Sequence, residues 1–222
     1  MTAVDIRVRG VHTVTMPPER ATVHAVLSLE GPQPEPVFQA VSSTLADVKA
    51  SIEALHHPKR GPVTWYSFDQ VRVTARRPWN SEGAQLPLVH SAAVPITATF
   101  ADFDELATWV SWGVGLDGVG IGHIEWDLTG AKRAKTERAA RQKAVRDAQQ
   151  RAQDYADALD LGPVAVRSIS DPSTGAVTPM ARATLAAQSM SGGGGTPEFA
   201  LRPDDVEITA VVEAGFIVLR KR

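Results

Sequence analysis

There is no cysteine among the 222 residues, which removes disulfides, thiolate metal sites and thiol nucleophiles together. No apolar run is long enough to cross a bilayer as a helix. The opening residues, MTAVDIRVRGVHTV, have no basic n-region, no sustained apolar h-region and no small-residue cleavage site, so a soluble, cytoplasmic protein is expected. The P-loop, nucleophile-elbow and zincin patterns are missing as well. Net charge is nearly absent: a formal charge of -2 with a pI near 6.3 offers no general attraction to nucleic acid or anionic membrane. Nucleic-acid binding is therefore not expected.

What is present is helix-forming capacity in one place. Ala131 to Leu161 contains neither proline nor glycine and is dense in strong helix formers. It predicts one helix roughly 45 Å long, long enough to overhang a small domain or meet another subunit. Ala134, Ala144, Val145, Ala148, Ala152, Tyr155 and Leu159 form its expected apolar stripe. The stripe is narrow and mostly alanine, which suits close approach to a sheet. Asp127 or Thr129 would cap its start, and Gly162-Pro163 would end it.

The rest of the chain alternates between strand and helix periods. Asp5 to Thr15 and Ala21 to Glu30 read as strands, joined as a hairpin through Met16-Pro17-Pro18-Glu19-Arg20. A helix over Pro36 to Leu55 keeps Val37, Val41, Leu45, Val48, Ile52 and Leu55 on one stripe. Val63 to Arg77 reads as a long strand, bent or bulged near Asp69, and His90 to Phe100 as the next. A short helix from Asp102 or Asp104 to Trp112, a glycine-rich turn, and a strand over Gly120 to Leu128 precede the long helix. Val164 to Ile169 and Asp205 to Leu219 are the last strands, separated by a polar, glycine-rich loop at about 171–203 that is expected to be flexible. The order ββα-ββα-βα-ββ predicts an α+β fold of mainly antiparallel sheets with helices packed on one face.

These landmarks resemble the SIMPL domain family, domain of unknown function 541. The resemblance rests on Val8-Arg9-Gly10 through Pro17-Pro18-Glu19-Arg20-Ala21, and most specifically on the alanine-rich helix. That helix runs from Lys135-Thr136-Glu137-Arg138-Ala139-Ala140 through Ala144-Val145-Arg146-Asp147-Ala148 to Ala158-Leu159, and is followed by Gly-Pro-Val and a strand ending Ser168-Ile169-Ser170. Val206 to Leu219 resembles the family's last strand. The resemblance implies a single SIMPL-like domain over residues 1–222, no known catalytic machinery, no cofactor and a tendency to self-assemble. It also implies a link to stress response, because bacterial members are associated with oxidative-stress defence; many of them are exported, and an animal member is associated with kinase signalling.

Few residues suggest chemistry. Gly113-Val114-Gly115-Leu116-Asp117-Gly118 satisfies a G-x-G-x-x-G pattern, but it follows a helix and opens a strand, the reverse of a dinucleotide fingerprint. His123, Glu125 and Asp127 alternate along one strand and share a face, so they are the candidates for a divalent cation or for acid-base work. Such alternation is also what the wet face of an antiparallel sheet shows. His12 and His24 are expected across a hairpin from one another. Trp65 and Trp79 are candidates for a small-ligand groove, whereas Trp109, Trp112 and Trp126 read as core packing. The first half of the long helix is basic, and Arg133, Arg138, Arg141 and Lys143 are the candidate partner-binding residues, with an acidic protein as the expected partner; aromatic residues for stacking nucleic acid are absent there, and a homo-oligomer is expected from the overhanging helix and the strand edges. Cations near a helix N-terminus oppose its macrodipole, a cost of about 0.3 kcal/mol or more for each in the first turn, and nothing local offsets it. A non-enzymatic protein acting by self-assembly or partner binding is the expectation; a metal-assisted enzyme using His123, Glu125 and Asp127, or a small-ligand binder, is the alternative.

Overall fold

The computed structural model describes residues 3–79, 81, 85–172 and 201–219. Most of the expected loop at 171–203 lies outside the described residues. The elements are β1 (Ala3–Met16), β2 (Arg20–Gly31), α1 (Pro34–Leu55), β3 (Val63–Phe68), β4 (Arg72–Arg76), β5 (Val89–Phe100), α2 (Phe103–Val114), β6 (Val119–Asp127), α3 (Gly130–Ala158), β7 (Ala165–Ser170) and β8 (Val206–Leu219). The fold is α+β with antiparallel sheets, and the described residues divide into two compact units. One contains β1, α3, β7 and β8, and the other contains everything from β2 to β6.

The expected hairpin of the first two strands does not form. β1 pairs with β8 in an unbroken antiparallel register from Ala3↔Leu219 to Met16↔Val206, while β2 lies between β5 and β6 in the other unit. The prolines at positions 17 and 18 thus separate two sheets rather than turn within one. His12 consequently faces Ala210, and the expected cross-strand pairing with His24 does not form.

In the first unit the sheet order is β1-β8-β7, with α3 on the face formed by the inward residues of β1 and β8. Thr129 is the N-cap, its hydroxyl accepting from the Lys132 amide at 3.4 Å, and Asp127 remains in β6. Beyond α3, Asp160 (φ 50) and Gly162 (φ 95) take left-handed conformations that turn the chain away. The buried row is Thr136, Ala140, Ala144, Ala148, Ala152 and Ala156, a strict four-residue spacing. It differs from the expected stripe: Ala134 is exposed, and Tyr155 and Leu159 are 60% and 66% exposed. Such a row advances by about 40° in a right-handed sense at each step. That sense matches the right-handed twist that long strands generally adopt. Gly10 explains why only small residues are admitted, since a Cβ there would lie 2.1 Å from the Ala144 carbonyl oxygen and 2.8 Å from the Ala148 Cβ. At the same place the Val11 amide donates to Asp147 Oδ2 at 2.9 Å, so α3 also satisfies a backbone group of β1.

In the second unit the sheet order is β3-β5-β2-β6, with β4 also paired to β5. Val23, Leu27, Val94, Ile96, Ala98 and Phe100 on one face meet Val41, Val48 and Ile52 of α1 and Leu106, Trp109 and Val110 of α2. The single strand expected over Val63 to Arg77 is interrupted between Phe68 and Arg72. Pro95 of β5 supplies the reason: its carbonyl accepts from the Asp69 amide at 3.0 Å, but on that side it has no N–H to return. The Asp102 carboxylate caps α2 by accepting from the Asp104 and Glu105 amides at 3.0 and 3.1 Å.

Candidate functional site

The basic half of α3 presents its charges in three rows. Arg133, Glu137 and Arg141 lie along one flank at four-residue spacing, and Glu137 meets both arginines, at 4.0 and 3.9 Å. Lys135 and Lys143 lie along the opposite flank. Arg138 begins the crest, which continues through Gln142, Arg146 and Gln150 to Asp154, directly away from the buried alanines. Arg138, Arg141 and Lys143 are exposed and Arg133 is partly covered. Among the described residues, Arg138 and Lys143 make no ion pair. The four candidate residues therefore surround the outward side of α3 rather than forming one point of convergence.

The polarity reverses toward the other end. Arg146 is followed by Asp147, which is tied to Arg151 at 3.0 Å, and then by Asp154, Asp157 and Asp160. Neither terminus is complemented: the first turn has no acidic residue and the last turn no basic one. Both ends oppose the helix dipole.

The outer face of the five-stranded sheet holds His123, Glu125 and Asp127 on β6. Across the register His123 faces His24 of β2, and Glu125 faces Thr22. The two imidazoles stack with centroids 4.2 Å apart and planes 9° from parallel. A bulge next to His24 leaves Gly122 without a register partner, where an added Cβ would lie 3.0 Å from the His24 carbonyl oxygen. The His24 Nε2 has no hydrogen-bond partner, and Glu125 Oε2 stands 3.9 Å away. Burial holds the His24 pKa below its ordinary value, with His123 adding to the shift and Glu125 opposing it. Among the described residues, no three His, Asp or Glu side chains are arranged to hold a metal ion. The pairing of His24 with His123 is not read in sequence because His24 is set across a hairpin from His12, although it falls on the outward positions of β2's alternation.

The Gly113 to Gly118 stretch closes the last turn of α2 and makes the turn from it into β6, as its context indicated. Gly118, at φ 78, packs where a Cβ would come within 2.6 Å of Leu29, and its carbonyl accepts from the Ser28 amide at 2.8 Å. Trp109 and Trp126 are buried, whereas Trp112 is 40% exposed and only partly joins that core. Trp65 stands on the outer side of β3 opposite Thr99, while Trp79 follows β4 and is 87% exposed.

The SIMPL family model, described as a protein of unknown function (DUF541), matches residues 6–216. The chain belongs to the SIMPL family. No curated protein matches it. The SIMPL match begins at Ile6 in β1 and ends at Phe216 in β8, and these two residues are register partners. The family region therefore runs through both units and closes on its own first strand. Among the described residues of this SIMPL chain, no helix is long and apolar enough to cross a membrane.

Proposed function

We propose that this SIMPL-family protein acts through protein association rather than catalysis, and that the associating surface is the outward side of α3, which receives a second copy of itself in antiparallel orientation. One observation carries the reading: the charge along α3 runs from basic to acidic, against the preference of the helix dipole at both ends. An antiparallel copy sets Arg138 against Asp154 twice across the two-fold axis, while the isolated helix gains nothing from this ordering. Tyr155 and Leu159, largely exposed beside the acidic end, add apolar contact. Arg146 lies at the centre of the crest and meets its own copy there, a like-charge cost that the flanking pairs must offset. Exposed ion pairs are worth about 0.2–1 kcal/mol each, so the association is weak and sensitive to salt. A cytoplasmic setting belongs to the same proposal and is checked by fractionating cells that make the full-length protein.

Light scattering on the purified chain over a wide concentration range tests the reading. Dimers are expected at low salt and should weaken at high salt; Arg138→Glu should weaken them further, and Arg146→Gln should strengthen them. The last variant separates self-association from an acidic partner, since removing a cation would only weaken the latter. A chain that stays monomeric throughout, or dimers indifferent to salt and to both substitutions, would reject the proposal.

A further inference from the structure

The three-stranded sheet has a second face, turned away from α3, and it contains an open concavity of about 380 Å³. Its floor is β8 at Gly215, with Arg7 and Arg9 of β1 on one side and Ser168 and Ser170 of β7 on the other. The register sets two rows across the sheet. Arg7, Gly215 and Ser168 form one; Arg9, Glu213 and Ser170 form the next. Arg7 and Arg9 are two residues apart on a strand and so share a face. Neither makes an ion pair among the described residues, whereas Arg167 of the same sheet is committed to Asp5.

The depression exists because residue 215 has no side chain. A Cβ there would lie 2.6 Å from Ser168 Oγ, so any larger residue would fill the floor and displace the hydroxyl. Glu213 offsets charge in the Arg9 row, but the Arg7 row contains no carboxylate, and the concavity keeps an excess of positive charge beside two hydroxyls. A guanidinium fork matches two oxygens of a tetrahedral oxyanion, and a serine hydroxyl can donate to a third. We propose that this concavity is a binding site for a phosphate group, with Arg7 as the principal cation, Ser168 as hydroxyl donor and Gly215 keeping the floor open. Arg9 supports the site from a row whose charge Glu213 partly cancels.

Titration of the full chain with inorganic phosphate, followed by amide chemical shifts, tests the site. Saturable shifts centred on Ser168 and Gly215 are expected, and Arg7→Gln should weaken binding roughly tenfold or more, as loss of a charge-assisted bond implies. Gly215→Ala should weaken it comparably; if that variant does not fold, Ser168→Ala takes its place with a smaller loss. Lys49→Gln, on α1 of the second unit, should leave the affinity unchanged. Parallel titrations with O-phosphoserine and glycerol phosphate tell an esterified ligand from free phosphate by which binds tighter. Absence of saturation, an affinity unaffected by Arg7→Gln, or acetate binding as tightly as phosphate would overturn the proposal.

Discussion

His24 shows how a residue of ordinary appearance acquires an environment that local sequence does not reveal. Its alternation in β2 marks it as outward-facing, but its stacking partner His123 comes from a strand about a hundred residues later, across a bulge. Because protonation of His24 is disfavoured in the folded chain, the unfolded chain takes up a proton more readily as pH falls. The stability contributed here is present above the ordinary imidazole range, and it declines as pH drops through about 6.5 toward the lower folded pKa. Denaturation midpoints measured between neutral and mildly acidic pH should fall for the wild-type chain, and should fall less steeply for His24→Gln. An identical slope in both would show that the stacked pair is electrostatically silent. The groups facing His24 are His123, Glu125 and the uncharged Thr97, so the comparison has few competing titrations.

At the scale of elements, most of what local period encodes was readable. The long helix, α1, α2 and the terminal strand fall within a few residues of where spacing and capping residues put them. Two errors came from interactions that period does not record. Strand pairing is one, because β1 alternates well enough to pair with any neighbour and its partner lies at the far end of the sequence. The buried row of α3 is the other: large residues such as Tyr155 and Leu159 looked like anchors, but the close approach at Gly10 admits only alanine-sized side chains. The basic residues of α3 were legible because they come from one contiguous helix, whereas the Arg7 concavity draws on three strands remote in sequence. The same contact makes a sharp prediction. Gly10→Ala places a Cβ against backbone that cannot swing aside, and should destabilise the first unit by about 3 kcal/mol or more, at the upper end of overpacking costs. Urea denaturation gives the number; a loss below about 1 kcal/mol would mean that α3 can slide on its sheet.

Across the whole molecule, the pairing of β1 with β8 has a consequence for the order in which structure appears. During synthesis the second unit has all its strands once β6 has emerged, but the first strand must wait for the last, some two hundred residues later, before its hydrogen bonds can form. Closing so long a loop is entropically costly and slow compared with the nearer pairings of β2 with β5 and β6. Until then β1 is an unpaired strand of fourteen residues, and a chain stalled short of β8 exposes it to any free edge nearby. Pulsed hydrogen exchange during refolding should find the amides of β2 and β5 protected before those of β1 and β8. Simultaneous protection would mean that the two units fold as one. Maturation of the first unit, and with it of both surfaces assigned to α3 and to the Arg7 concavity, is thereby tied to completion of the chain through β8.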